Sequence, residues 1–107
     1  MTVAQFNFTA LKALCFNVTT FPADATLTTI IAGLVAWAEV ETGVTVESTD
    51  ELPAGWDFFV RDAFLWMRSN KGASGESLDE YSYSLPEAFP SAILRWLKPT
   101  KKGYKFI

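Results

Sequence analysis

Carboxylates are the main reactive groups this sequence offers, and they come in neighbouring pairs: Glu39/Glu41, Asp50/Glu51, Asp57/Asp62 and Asp79/Glu80. Acid–base hydrolysis needs two carboxyl groups facing across a cleft, one of them desolvated. Glu39 and Glu41 stand two apart in a helical stretch and so point to different sides. Asp50/Glu51 and Asp79/Glu80 fall in polar stretches, where ordinary solvation accounts for them. None of these pairs has the Asp-x-Asp-x-Asp-Gly spacing of a calcium loop. Gly72 and Gly75 lack the preceding strand and the following Gly-Lys-Ser/Thr of a phosphate-cradling loop. Histidine is absent and Cys15 is the single cysteine. That excludes an intrachain disulfide, a Cys/His zinc site, a His-dependent triad and a Cys–His nucleophile pair within one subunit. The residue types therefore point away from an enzyme, with no catalytic, cofactor or metal residues assigned.

The 107 residues are half hydrophobic and 15% aromatic, enough to build one small folded domain. Thr9 is a good N-cap, and Leu11, Leu14 and Cys15 give a first helix from Ala10 to about Cys15 one apolar side. On that face Cys15 reads as a small buried hydrophobe. Pro22 is placed to open a second helix over about Ala23 to Thr42. Leu27, Ile30, Ile31, Leu34, Val35 and Ala38 recur there at spacings of three and four. Gly43 is placed as a left-handed cap after it, and Val44 to Val46 is a brief extended piece.

Pro53 opens a third helix ending near Asn70, with Trp56, Phe59, Val60, Ala63, Phe64 and Met67 as its stripe. Phe58, Leu65 and Trp66 lie off that stripe. A helix apolar nearly all round is usually buried on several sides, which so short a chain struggles to provide alone. A partner subunit would cover the surplus face. Tyr81, Tyr83 and Leu85 alternate against Ser82 and Ser84, so residues 78–85 form either a strand paired with a neighbour or an extended loop. A last helix is expected from Pro90 to Leu97, stopped by Pro99. The tryptophans Trp37, Trp56, Trp66 and Trp96 sit among apolar residues, which favours core or interface over a ligand box. The fold class is all-α: a bundle of about four helices with one extended segment and an extended tail. Residues 1–97 make the domain and 98–107 a C-terminal arm.

Net charge is −3, but its distribution matters more than its sum. Residues 1–90 hold all twelve acids and only Lys12, Arg61, Arg68 and Lys71 as bases. Residues 91–107 hold Arg95, Lys98, Lys101, Lys102 and Lys105 and no acid. An acidic body argues against a non-specific nucleic-acid binder, which needs a basic face. The tail joins those lysines to Tyr104, Phe106 and Ile107, poor choices for a solvated end. Lysines give reach and steering while aromatics fill pockets, so the tail reads as an arm for an acidic partner, or else as a flexible end. The longest apolar stretch, Ile30 to Ala38, falls far short of the roughly 20 residues that span a bilayer. The first residues lack the charged and apolar regions of a secretory signal, and a reducing compartment suits the lone cysteine.

The order of these pieces resembles the small head–tail connector (adaptor) proteins of tailed bacteriophages, over about Phe8 to Phe106. The matching pieces are the short Thr9-Ala10-Leu11-Lys12-Ala13-Leu14 helix, the Glu41-Thr42-Gly43 helix end and the Leu52-Pro53 start of the third helix. They continue with Trp66-Met67-Arg68-Ser69-Asn70, the Gly/Ser loop, Tyr81-Ser82-Tyr83-Ser84, and Leu97-Lys98-Pro99 leading to Tyr104-Lys105-Phe106. The resemblance implies a non-enzymatic virion subunit that forms a ring, commonly twelvefold, beneath the portal. Such a ring extends the channel for passing double-stranded DNA and docks the next neck, stopper or tail-completion protein. It implies a portal-binding arm of Lys98, Lys101, Lys102, Tyr104, Lys105, Phe106 and Ile107. Inter-subunit contact would fall on Phe58, Leu65, Trp66, Tyr81 and Tyr83. Assembly in the host cytoplasm, no cofactor and no membrane complete the expectation. The competing reading is a small cytoplasmic helical regulator or helix-turn-helix DNA-binding protein. It wants a basic recognition helix, whereas the third helix carries Trp56, Phe58, Phe59 and Asp62.

Overall fold

A computed structural model describes residues 1–70 and 89–100, and the fold is all-α. In chain order come α1 (Phe8–Leu14), α2 (Asp24–Thr42), α3 (Trp56–Asn70), α4 (Ser91–Leu94) and a 3-10 helix over Arg95–Thr100. The described residues contain no named strand; an isolated antiparallel bridge joins Thr2 to Glu51.

Local chemistry sets each boundary. The cap of α1 is Asn7 and not Thr9: its Oδ1 accepts the amides of Thr9 at 3.0 Å and Ala10 at 3.2 Å. Asn and Thr both cap well, and the one whose backbone is extended takes the position. Pro22 is buried ahead of α2, which starts two residues later at Asp24. Asp24 puts negative charge at the positive end of the helix dipole and also holds Lys12 at 2.9 Å. Gly43, at φ 74°, caps α2 in the left-handed conformation, as its position predicts, and donates its N–H to Glu39. Pro53 and a turn precede α3, whose first residue is Trp56. Pro99 does not end the last helix. After one turn of α-helix the chain tightens into 3-10 geometry and runs through Pro99 to Thr100.

The core lies where the helical stripes meet. From α2, Leu27, Ile30, Ile31, Leu34 and Ala38 are buried. The whole predicted α3 stripe of Trp56, Phe59, Val60, Ala63, Phe64 and Met67 is at most 1% exposed. Leu11 and Cys15 close the core from α1, and Phe89, Ile93 and Leu97 from the chain around α4. Rings lock the layers: Phe21 stacks on Phe64 at one end of the α2–α3 pair and Trp37 on Phe59 further along. Because Arg68 at the end of α3 reaches Thr20 just before α2, the two long helices run antiparallel.

The first residues are tied to the loop between α2 and α3. Val3 donates to Asp50 and Ala4 to Ser48, each at 2.9 Å, and Leu52 donates back to Met1. The sequence pattern assigns no role to residues 1–6, and the reason is physical: this pairing is backbone to backbone. Phe6 then enters the core at 2% exposure.

Candidate interaction surfaces

Several of the described carboxylates hold local structure. Glu39 accepts the Val46 amide at 2.9 Å, fixing the turn that leaves α2. Asp50 accepts the Glu47 amide and Asp57 that of Phe58. Asp62 takes two donors, Arg61 Nε at 2.8 Å and the Trp96 indole N–H at 2.7 Å. Members of the sequence pairs therefore serve separate backbone and side-chain donors. No group of three metal-ligating side chains occurs among the described residues. Cys15 is buried, and burial pushes its thiol pKa up, with Asp62 adding to the rise and Arg61 and Arg68 opposing it. That environment suits packing and works against reactivity.

The off-stripe aromatics of α3 find partners inside the chain. Phe58 sits 5.0 Å from the Trp96 ring, with the Arg61 guanidinium 4.8 Å from its own. Trp66 meets the edge of Phe89 at 5.4 Å, and Phe89 also contacts Trp37 and Phe59. Part of the surplus α3 face is thus covered by Trp96 of the 3-10 helix and by Phe89 ahead of α4. Phe58, Leu65 and Trp66 each keep partial exposure.

Sequence reasoning missed three features here. Phe89 plugs the core, which its place between two uncertain elements concealed. Asp62 joins Trp96 across 34 residues, a link that no local spacing encodes. Gly55, at φ 90°, lets the backbone of Trp96 pass so close that a Cβ would lie 2.7 Å from its carbonyl oxygen. A glycine just before a helix was the one available signal for this last contact.

Among the described residues, apolar openings mark the surface. A groove of about 330 Å³ runs between the first residues and α2, walled by Val3, Phe6, Ile31, Val35 and Val46, with Glu39 at one end. A second hollow of about 250 Å³ lies where the end of α1 meets α3, lined by Leu14, Val18, Arg61, Asp62 and Leu65. Phe16 stands at its edge, 80% exposed. Lys98 is exposed on the 3-10 helix. The other arm residues (Lys101, Lys102, Tyr104, Lys105, Phe106 and Ile107) and the contact candidates Tyr81 and Tyr83 lie outside the described residues. No helix among the described residues is long and apolar enough to cross a membrane.

Among the described residues, then, several carboxylates hold local structure, and the surface carries apolar openings. Comparison with known proteins gives it a family. The chain is 32% identical to the head completion protein gp15 of Bacillus phage SPP1 over 82 residues, covering 74% of this chain and 80% of that protein. It belongs to the head–tail connector family of tailed bacteriophages. No family model matches the chain, and no solved structure matches it significantly. The helical order of this connector agrees with what the resemblance implied at α1, at the end of α2 and at the end of α3.

Proposed function

We propose that this connector is a structural, non-enzymatic component of the virion at the head–tail interface. Its subunits form a ring, commonly twelvefold in such proteins, that sits under the portal protein. The ring extends the channel for passing double-stranded DNA and docks the next neck, stopper or tail-completion protein. The observation that carries this reading is the likeness to a head completion protein over 80% of that protein's length. The exposed Phe16, the half-exposed α3 aromatics and the basic aromatic tail support it, because each offers contact area and not chemistry.

In this reading Lys98, Lys101, Lys102, Tyr104, Lys105, Phe106 and Ile107 reach the portal. Phe58, Leu65, Trp66, Tyr81 and Tyr83 face neighbouring subunits. The acidic body suits a channel that DNA must slide through without sticking. Assembly takes place in the host cytoplasm before the subunit enters the virion.

The test is a truncation after Thr100, which leaves every described helix whole. The shortened chain should keep its helical circular dichroism and lose co-sedimentation with portal rings. A truncated chain that still co-sediments overturns the arm assignment. Negative-stain imaging of the full chain with portals should show an added ring, and portals without extra density would overturn the neck role.

A further inference from the structure

We propose that the Phe16 corner of one subunit seats in the α2 groove of a second copy, as a head-to-tail contact. The inference rests on the ring reading above and names the contact that would build the ring.

One surface offers a protruding ring and the other a space to receive it. Phe16 follows α1, and its ring is 80% in solvent beside half-buried Leu14, Val18 and Leu65. An aromatic side chain held out in water at the edge of an apolar patch carries a large area still to be buried. The groove offers the receiving space: about 330 Å³, at the lower end of what a bound organic group fills. Its outer wall is the small-residue side of α2, where Ala32 and Ala36 are exposed and leave room for a ring to enter.

Their charges are complementary. Glu39 lines the groove, and Val3 and Ala4 of its wall donate to the Asp50 and Ser48 carbonyls, which sets the acidic 47–51 loop along that side. Of the acids there, Glu51 pairs with the Met1 ammonium, Glu39 and Asp50 accept backbone amides, and Glu47 is exposed. Of the three bases in residues 1–70, Lys12 stands on α1, Arg61 lines the corner and Arg68 lies close enough to act on Cys15 beside it. Asp24 and Asp62 pair with the first two, while the Arg68 guanidinium donates to the Thr20 carbonyl. A net positive corner thus faces a net negative groove, which steers the encounter and fixes its register. The groove is built against α2 and the corner against α3. A contact between two different faces is heterologous, and repeated copies either close into a ring or run on as a filament.

Phe16→Asp removes the inserting ring, and Ala36→Glu blocks the groove wall. Both positions are exposed, so both variants should fold, which circular dichroism checks. Sedimentation velocity and native mass spectrometry then read assembly of the full-length chains. Wild type should pass beyond dimer with rising concentration, and each variant should self-associate about 30-fold more weakly or worse, the loss of one interface hot spot. Mixed in equal amounts, the variants should form dimers and nothing larger, since one intact Phe16–groove contact survives per pair. If wild type assembles only on portal rings, the same samples are read there by negative stain, with rings for wild type and none for either variant. Variants that assemble like wild type, or a mixture that yields no dimer, overturn this contact and leave the ring reading standing. A wild-type chain that forms no ring alone or with portals overturns both.

Discussion

Gly55→Ala should be among the most damaging single-atom additions this fold can receive. Gly55 has φ 90°, and the added Cβ would lie 2.7 Å from the Trp96 carbonyl oxygen. A non-glycine residue held in such a conformation costs about 1–3 kcal/mol. The obstructing atom is backbone, so it cannot swing aside as a side chain would, and the 3-10 helix must shift bodily. That shift strains the 2.7 Å bond from the Trp96 indole to Asp62 and the 5.0 Å contact of its ring with Phe58. A hydrogen bond to a charged group contributes roughly 1.5–3 kcal/mol, of which a shift forfeits part. Alanine also stiffens the unfolded chain, which offsets about 0.4–1 kcal/mol. The net loss comes to about 2–4 kcal/mol, a large share of the ~5–15 kcal/mol typical of a domain. Urea titration followed by tryptophan fluorescence measures it directly, because all four tryptophans lie in the described core or at its edge. With a slope of ~1–3 kcal/mol per molar urea, the midpoint should fall by about 1–2 M. Gly55→Asn tolerates positive φ better but keeps the steric conflict, so it should lose most of the same stability. A Gly55→Ala midpoint within about 0.3 M of wild type, at unchanged slope, would refute the close approach as a packing constraint.

Two further predictions test other joints of the fold. Asp62→Ala leaves the Trp96 indole N–H and the Arg61 side chain without their shared acceptor. It should cost about 1–3 kcal/mol in the same titration, and Asp62→Asn should recover part of that loss. Cys15 should react slowly with a thiol reagent at pH 8 in the folded chain and rapidly in urea, since burial raises its pKa above the ordinary 9.0. The sign for stability follows from that direction. The contribution is whole below the unfolded-state pKa and is lost as pH rises through the folded-state value, so wild type should lose stability relative to Cys15→Ala above about pH 9. A flat difference between the two across pH 7–10 would argue against a buried neutral thiol.

Long periodic segments made the fold legible. The α3 stripe was readable because apolar residues recur at spacings of three and four from Trp56 to Met67, and all of them are buried. The end of α2 was readable because glycine alone among common residues takes the left-handed cap freely. Boundaries were less legible where two residues compete for one role. Asn7 displaced Thr9 as a cap, and Pro99 joined a 3-10 turn that its fixed φ permits. The off-stripe face of α3 reads in the sequence as apolar surplus, and Phe89 and Trp96, distant in sequence, cover part of it. The α2 groove was not legible at all. Its far wall is made by Val3 and Phe6, placed there by backbone bonds to residues 48–52 that carry no side-chain signature.

These links bear on how an arm at the end of this chain would work. Phe89, Ile93 and Leu97 are anchored in the core, and the Trp96–Asp62 bond and the Gly55 contact fix the 3-10 helix against α3. The 3-10 helix through Thr100 is therefore held in a fixed place, and in the proposed function the arm starts from it. Ordering a segment on a partner costs less when its origin is already held, because fewer backbone degrees of freedom remain to be lost. In the proposed ring the same geometry repeats in every subunit, so each arm that docks raises the effective concentration of the next. Weak individual contacts from lysines and a few aromatics then suffice for a stable attachment. It follows that Gly55→Ala at a temperature where the fold survives should weaken portal co-sedimentation more than the same loss of stability placed in α1 by Asn7→Ala combined with Leu11→Val. Equal weakening by the two variants would mean that overall stability, and not the fixed origin of the arm, governs attachment.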